Sequence, residues 1–143
     1  MNKNLLYLFL ALCCFSCSKD NSLRNNNPYL PKVSFNLQLD LNLPEYNNLN
    51  FPGNSYVTYN YGIKGVVVYN INNSQYTAFE LSDPNHQLQD CSRLTVNGVI
   101  ATCHCDDGNQ YNILTGELTS GTGQYALKPY RVVKNGNYLL ISN

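Results

Sequence analysis

From Val33 to Leu41, apolar residues fall at every second position. Val33, Phe35, Leu37, Leu39 and Leu41 line one face, and Ser34, Asn36, Gln38 and Asp40 line the other. That period predicts a half-buried strand. "NSYVTYNYG" alternates in the same way. "GVVVYNI" is a continuous apolar run of the kind a strand buried on both faces requires, and the turn Asn72-Asn73-Ser74 separates it from "QYTAFEL". Further strands are predicted in "LTVNGVIATC", hinged at Asn97-Gly98, and in "NQYNIL", ended by Thr115-Gly116. "YALKPYRVV" and "YLLIS" meet at Asn135-Gly136, a strong hairpin signal. No stretch sustains a helical period. The expected fold class is therefore all-β, with long irregular loops at 43–54 and 82–92.

Composition narrows the function. The chain has 143 residues, enough for one domain of ordinary size, with no net charge and 13% charged residues. That removes the electrostatic case for nucleic acid as a partner. Histidines number two, His86 and His104, which limits histidine chemistry. Of the tyrosines Tyr56, Tyr59, Tyr61, Tyr69 and Tyr76, strand alternation predicts most in the core, with hydroxyls at the rim. A surface stacking platform for glycans or proteins is the other use of such a set.

The N-terminus reads as an export signal. One lysine precedes an apolar run from Leu5 to Phe15, too short to span a bilayer as a helix. The segment Cys14-Phe15-Ser16-Cys17, followed by Ser18-Lys19-Asp20, resembles the lipobox of bacterial lipoproteins. That resemblance implies cleavage of a signal peptide spanning 1–16 and lipidation of Cys17. Cys14 is the rival position, and an ordinary cleaved signal peptide is the plainer alternative. Residues 17–31 are polar, Asn-rich and bounded by Pro, as in a flexible tether, and the domain is expected over 32–143. The expected location is the bacterial cell envelope, with the protein lipid-anchored to a membrane, the outer membrane favoured, and facing periplasm or exterior. Cys13 and Cys14 leave with the signal, so Cys91, Cys103 and Cys105 remain in the folded part. In an oxidising compartment one disulfide and one leftover thiol follow.

"CHCDDGNQY", from Cys103 to Tyr111, is dense in metal-ligand types. Structural zinc usually takes two cysteine or histidine pairs. Here Cys103 and Cys105 form a single pair, and in an extended chain His104 points away from both. A cysteine–histidine nucleophile lacks an evident third group. Asp83, Asp106 and Asp107 are weak candidates for a hard cation such as calcium. The simpler reading is that Asp107-Gly108 makes a tight turn with solvated carboxylates.

From Cys91 to Ser142, the order of features resembles the cluster-binding half of a Rieske [2Fe-2S] domain. The family pattern has a first box C-x-H-x-x-C and a second box C-x-C-H-G. An aromatic residue, a Thr-Gly turn, a Pro-containing strand and a terminal hairpin follow. Cys91 matches the last cysteine of the first box, and Cys103 and Cys105 match those of the second. Tyr111, Thr115-Gly116, Leu127-Lys128-Pro129 and the "VVKNGNYLLIS" hairpin come in order. The resemblance implies a Rieske-like fold of stacked small antiparallel sheets, with cluster-binding-type loops at about 82–110. It further implies a disulfide between Cys91 and Cys105, and Cys103 as a cluster ligand.

The remaining ligand positions depart from the family. A Rieske centre needs two cysteines and two histidines. Asp106-Asp107-Gly108 stands where the second-box histidine belongs. No cysteine precedes Cys91 in its loop, where Asp83 or His86 takes the place according to the gapping. The expectation is a scaffold without a cofactor or enzyme activity, acting as a structural or binding protein on an envelope partner or ligand. The alternative is a [2Fe-2S] electron-transfer protein using His86, Cys103 and altered ligands.

Overall fold

The computed structural model describes residues 27–143. The expected signal segment, Cys17 and the tether as far as 26 lie outside the described residues. Among the described residues ten strands form in chain order: β1 (Asn36–Asp40), β2 (Ser55–Thr58), β3 (Val66–Asn70), β4 (Tyr76–Glu80), β5 (Thr95–Asn97), β6 (Ile100–Thr102), β7 (Gln110–Asn112), β8 (Leu118–Ser120), β9 (Arg131–Asn135) and β10 (Tyr138–Ser142). They pair antiparallel in three small sheets, ordered β1-β10-β9, β2-β3-β4 and β5-β6-β7-β8. The expected all-β class is met.

The continuous apolar run in β3 has a direct cause: β3 is the centre of the middle sheet, and both of its faces are buried. Val66 and Val68 pack into one core with Leu37, Leu39, Leu139 and Ile141 of the first sheet. Val67 and Tyr69 face a second core with Ala101 and Tyr111 of the third sheet and with Leu94 and Ile113, which flank its strands. A strand of period two thus feeds two cores through alternate residues. Each fully buried aliphatic side chain contributes on the order of 1.5–3 kcal/mol relative to exposure.

Several details lay beyond the periodicity. A 3-10 helix, Pro44–Asn50, occupies the predicted 43–54 loop and inserts Leu49 into the first core. β8 is short and polar and was not predicted. The "YALKPY" part of a predicted strand is irregular up to Arg131, apart from one bridge between Pro129 and Phe79. Residues 27–31, within the expected tether, pack on the domain: Leu30 is buried and Asn27 donates from its side chain to the Pro84 carbonyl. Among the tyrosines, Tyr69 is buried, Tyr56 and Tyr76 are partly buried, and Tyr59 and Tyr61 are exposed. Among the described residues, no helix is long and apolar enough to cross a membrane.

Candidate functional site

Two loops leave the second core at one end of the molecule. The first runs from Ser82 after β4, and the second from Cys103 after β6. The Cys91–Cys105 disulfide joins them, with the two Cα atoms 5.1 Å apart and a sequence separation of 14. Cys103 remains a buried thiol.

Asp83 begins the first loop and is fully buried. Its amide donates to the Ser92 carbonyl, which pins the loop's two ends together. Oδ1 accepts from the Asn85 amide at 2.7 Å and from the Tyr111 hydroxyl at 2.9 Å. Oδ2 accepts from Asn109 Nδ2 at 3.1 Å. The same Asn109 amide donates to Asp107 Oδ2 at 3.0 Å, so a single side chain holds both carboxylates. Burial of an ionised group away from water is tolerable only with such compensation.

Asn85 and Asn109 are themselves clamped by the segment between β8 and β9. Asn85 Oδ1 accepts from the amides of Gln124 and Tyr125, and Asn109 Oδ1 accepts from the amide of Thr122. The backbone approaches closely enough that a Cβ at Gly123 would lie 2.3 Å from Asn85 Cγ. A Cβ at Gly121, where φ is +93°, would meet Asn109 Oδ1 at the same distance. Only glycine fits both places.

His86 completes the arrangement. Its Nδ1 lies 2.9 Å from the Gln87 carbonyl oxygen, an acceptor only, so Nδ1 carries a hydrogen and donates it. Nε2 points inward, 3.4 Å from Cys103 Sγ, 3.1 Å from Asp107 Oδ2 and 3.8 Å from Asp83 Oδ2. The ligand-type atoms of Asp83, His86, Cys103 and Asp107 all lie within 4.8 Å of one another. The Cys105 amide is directed at Cys103 Sγ from 3.4 Å. Burial pushes the Cys103 thiol up to about 12, and the neighbouring carboxylates of Asp83 and Asp107 push the same way against that amide. Burial likewise raises the Tyr111 hydroxyl, with Asp83 adding to it.

The structure sorts the sequence candidates. Asp83, His86, Cys103 and Asp107 converge, Cys91 and Cys105 are bonded, and Asp106 stands exposed outside the group. His104 is turned away and exposed, with Nε2 at 2.7 Å from Thr95 Oγ1, as strand alternation required. Sequence reasoning missed Asn85, Asn109 and the Gly121-Thr122-Gly123 clamp. The one available signal was a pair of glycines flanking a single residue after a polar strand.

A [2Fe-2S] cluster does not fit this donor set. A Rieske centre needs two thiolates on one iron and two imidazoles on the other, and an all-cysteine cluster needs four thiolates. Here there is one thiol, one imidazole and two carboxylates, and Cys105 is consumed by the disulfide. The geometry disagrees as well. Histidine and cysteine ligands belong to different irons, whereas His86 Nε2 and Cys103 Sγ are 3.4 Å apart, with no room for two irons and two sulfides between them.

Three small antiparallel sheets, two loops at one end and a disulfide joining them together make the fold Rieske-like. No family model matches the chain, and no curated protein does. Among solved structures, the chain is similar to one described as a complex of reduced oxygenase and oxidized ferredoxin in carbazole 1,9a-dioxygenase. Identity is 22%, with 64% of this chain and 82% of that chain covered and a TM-score of 0.45. It is similar to the ferredoxin of carbazole 1,9a-dioxygenase from Nocardioides aromaticivorans IC177 at 15% identity. That match covers 64% of this chain and 86% of the other, with a TM-score of 0.44. It is also similar to a structure described as a putative nitrite reductase NADPH (small subunit), at 17% identity. Coverage there is 75% and 97%, and the TM-score is 0.44.

Proposed function

We propose that this chain is an envelope lipoprotein, lipid-anchored through Cys17. Its Rieske-like domain has lost the [2Fe-2S] cluster and serves as a structural or binding module without enzyme activity. The observation that supports this reading is the donor set itself: one thiol and one imidazole stand where a cluster requires two of each. The outer membrane is the favoured location, and the partner is another envelope component or ligand that meets the exposed end of the domain.

The experiment is direct. The full chain, produced in an exporting bacterial host with iron supplied and extracted from membranes, is expected to be colourless. It should lack stoichiometric iron and acid-labile sulfide, and Cys17→Ser should release it from the membrane fraction. Brown protein with two irons and two sulfides per chain would sink this reading and leave the electron-transfer alternative. That alternative draws on one observation, that a cysteine and a histidine, the two ligand types of such a centre, both remain among the converging side chains. Membrane retention of the Cys17→Ser protein would remove the anchor from the proposal.

A further inference from the structure

We propose that Asp83, His86, Cys103 and Asp107 form a four-donor site for one divalent transition ion, with Zn2+ the ion whose coordination the set matches. The inference rests on the reading that the cluster is gone and says what its former ligand positions now hold. Metal ligation by Cys103, His104 and Cys105 was argued against on spacing, and the structure rules that trio out by the disulfide and by the outward turn of His104. The set proposed here is drawn instead from two loops that only the fold brings together.

Three observations carry it. First, the spacing suits a single ion. A tetrahedral centre with bonds of about 2.0–2.3 Å sets its donors roughly 3.3–3.8 Å apart. From His86 Nε2 the other donors lie at 3.1, 3.4 and 3.8 Å.

Second, acceptors outnumber donors at the centre. Both Oδ2 atoms and the sulfur face His86 Nε2, and the hydrogens these four atoms hold between them are the thiol's own and at most one on Nε2. The Asn109 amide reaches both carboxylates from the side, and the centre between the four groups is left to a cation.

Third, the surrounding shell orients the donors as metal sites require. The Gln87 carbonyl takes the Nδ1 hydrogen, which leaves Nε2 to coordinate. Asn109 fixes both carboxylates, and the Cys105 amide faces the sulfur it would stabilise as thiolate. Asp83 and Cys103 are buried, while His86 and Asp107 border an open cleft through which an ion can arrive.

The donor chemistry selects the class of ion. Calcium and magnesium take oxygen ligands, whereas one nitrogen, one sulfur and two oxygens suit zinc and its neighbours in the transition series. Two carboxylates and a thiolate bring one negative charge more than the ion is positive, and the amide donors of Asn109 and Cys105 lie against that excess.

The test uses the full chain with its disulfide intact, stripped with a chelator and titrated with Co2+ and then Zn2+. Expected are one ion per chain and the strong visible absorption of four-coordinate cobalt. A thiolate-to-cobalt charge-transfer band should accompany it, and both signals should vanish as Zn2+ displaces the cobalt. Ca2+ in excess should displace nothing. Saturating Zn2+ should raise Tm by roughly 10 °C at a hundredfold excess over Kd. Cys103→Ser should abolish the charge-transfer band, and His86→Gln and Asp107→Asn should each weaken Zn2+ at least about tenfold. Asp106→Asn and His104→Gln should leave binding unchanged. Each variant's Tm without metal shows that it folds.

Absence of binding, or binding that survives both Cys103→Ser and His86→Gln, overturns the proposal. Loss of binding through Asp106→Asn alone overturns it equally. Colourless protein that binds no metal leaves the reading of a lost cluster standing, whereas two irons and two sulfides per chain remove both.

Discussion

Glu80 and Asp83 are buried carboxylates three residues apart at the end of β4, and their surroundings differ in one respect. Around Glu80 every lone pair has a fixed donor. Oε1 accepts from the Lys64 amide at 2.8 Å and from the Ser82 hydroxyl at 3.0 Å. Oε2 accepts from the Ile63 amide at 2.7 Å and from the Tyr130 hydroxyl at 2.5 Å. That pocket is closed: it ties the turn before β3 and the strand region before β9 to the middle sheet. Around Asp83 only one side is closed. Its other side faces an imidazole, a thiol and a second carboxylate. Burial alone therefore says little about whether an acid serves structure or chemistry. The balance of donors against acceptors around it separates the two cases.

The largest effect is expected at the closed pocket. Glu80→Gln sets an amide nitrogen against N–H and O–H donors and removes the charge they stabilise. A loss of about 3–5 kcal/mol in guanidinium unfolding is expected, independent of metal. Asp83→Asn should cost less in metal-free protein, about 1–3 kcal/mol, because fewer fixed donors depend on it. Its loss should grow once Zn2+ is present. Equal losses at the two positions, with and without Zn2+, would erase the distinction between the pockets.

The disulfide comes next. Replacing Cys91 and Cys105 together by serine should cost roughly 2–4 kcal/mol, as for a short closed loop. It should also loosen the loop pair on which the open pocket depends and leave the Glu80 pocket intact. Hydrogen exchange of the Ile63 and Lys64 amides, compared with that of the Asn85 and Cys105 amides, reads this difference. Equal loosening at both ends would show that the pockets are not independently held.

The smallest effect is at Tyr130. Burial first, then the Glu80 carboxylate, raises its hydroxyl above the ordinary value of 10.0. A raised native value means that its contribution is fully present below pH 10. It is lost as pH rises further, because the unfolded chain releases the proton first. The slope contributed by this group is at most about 1.4 kcal/mol per pH unit. Tyr130→Phe should cost about 1 kcal/mol at neutral pH and flatten the alkaline fall of Tm. An unchanged alkaline slope would show that this hydroxyl does not report on the closed pocket.

The strands and turns were written locally. Alternation marked β1, the unbroken apolar run marked β3 as central, and Asn135-Gly136 marked the β9–β10 hairpin, because a period of two and a positive-φ turn are properties of neighbours in sequence. β8 escaped because Leu118-Thr119-Ser120 is short and mostly polar, and its pairing comes from β7 alone. The 3-10 helix at Pro44–Asn50 escaped because only Leu49 is buried there, and one apolar residue makes no period.

The candidate site was legible as a list of residues and not as an arrangement. The order of motifs indicated the Cys91–Cys105 pairing, and strand alternation set His104 aside. Which of the remaining ligand types meet was decided in three dimensions. Asp83 is buried because its loop ends pair through Ser92, and His86 turns inward because the Gln87 carbonyl holds its Nδ1. Asp107 joins the group, and its neighbour Asp106 does not, because Asn109 reaches back from under the glycine clamp to hold Asp107. Sequence spacing fixes distance along the chain, whereas coordination depends on direction, and direction here comes from hydrogen bonds between segments remote in sequence.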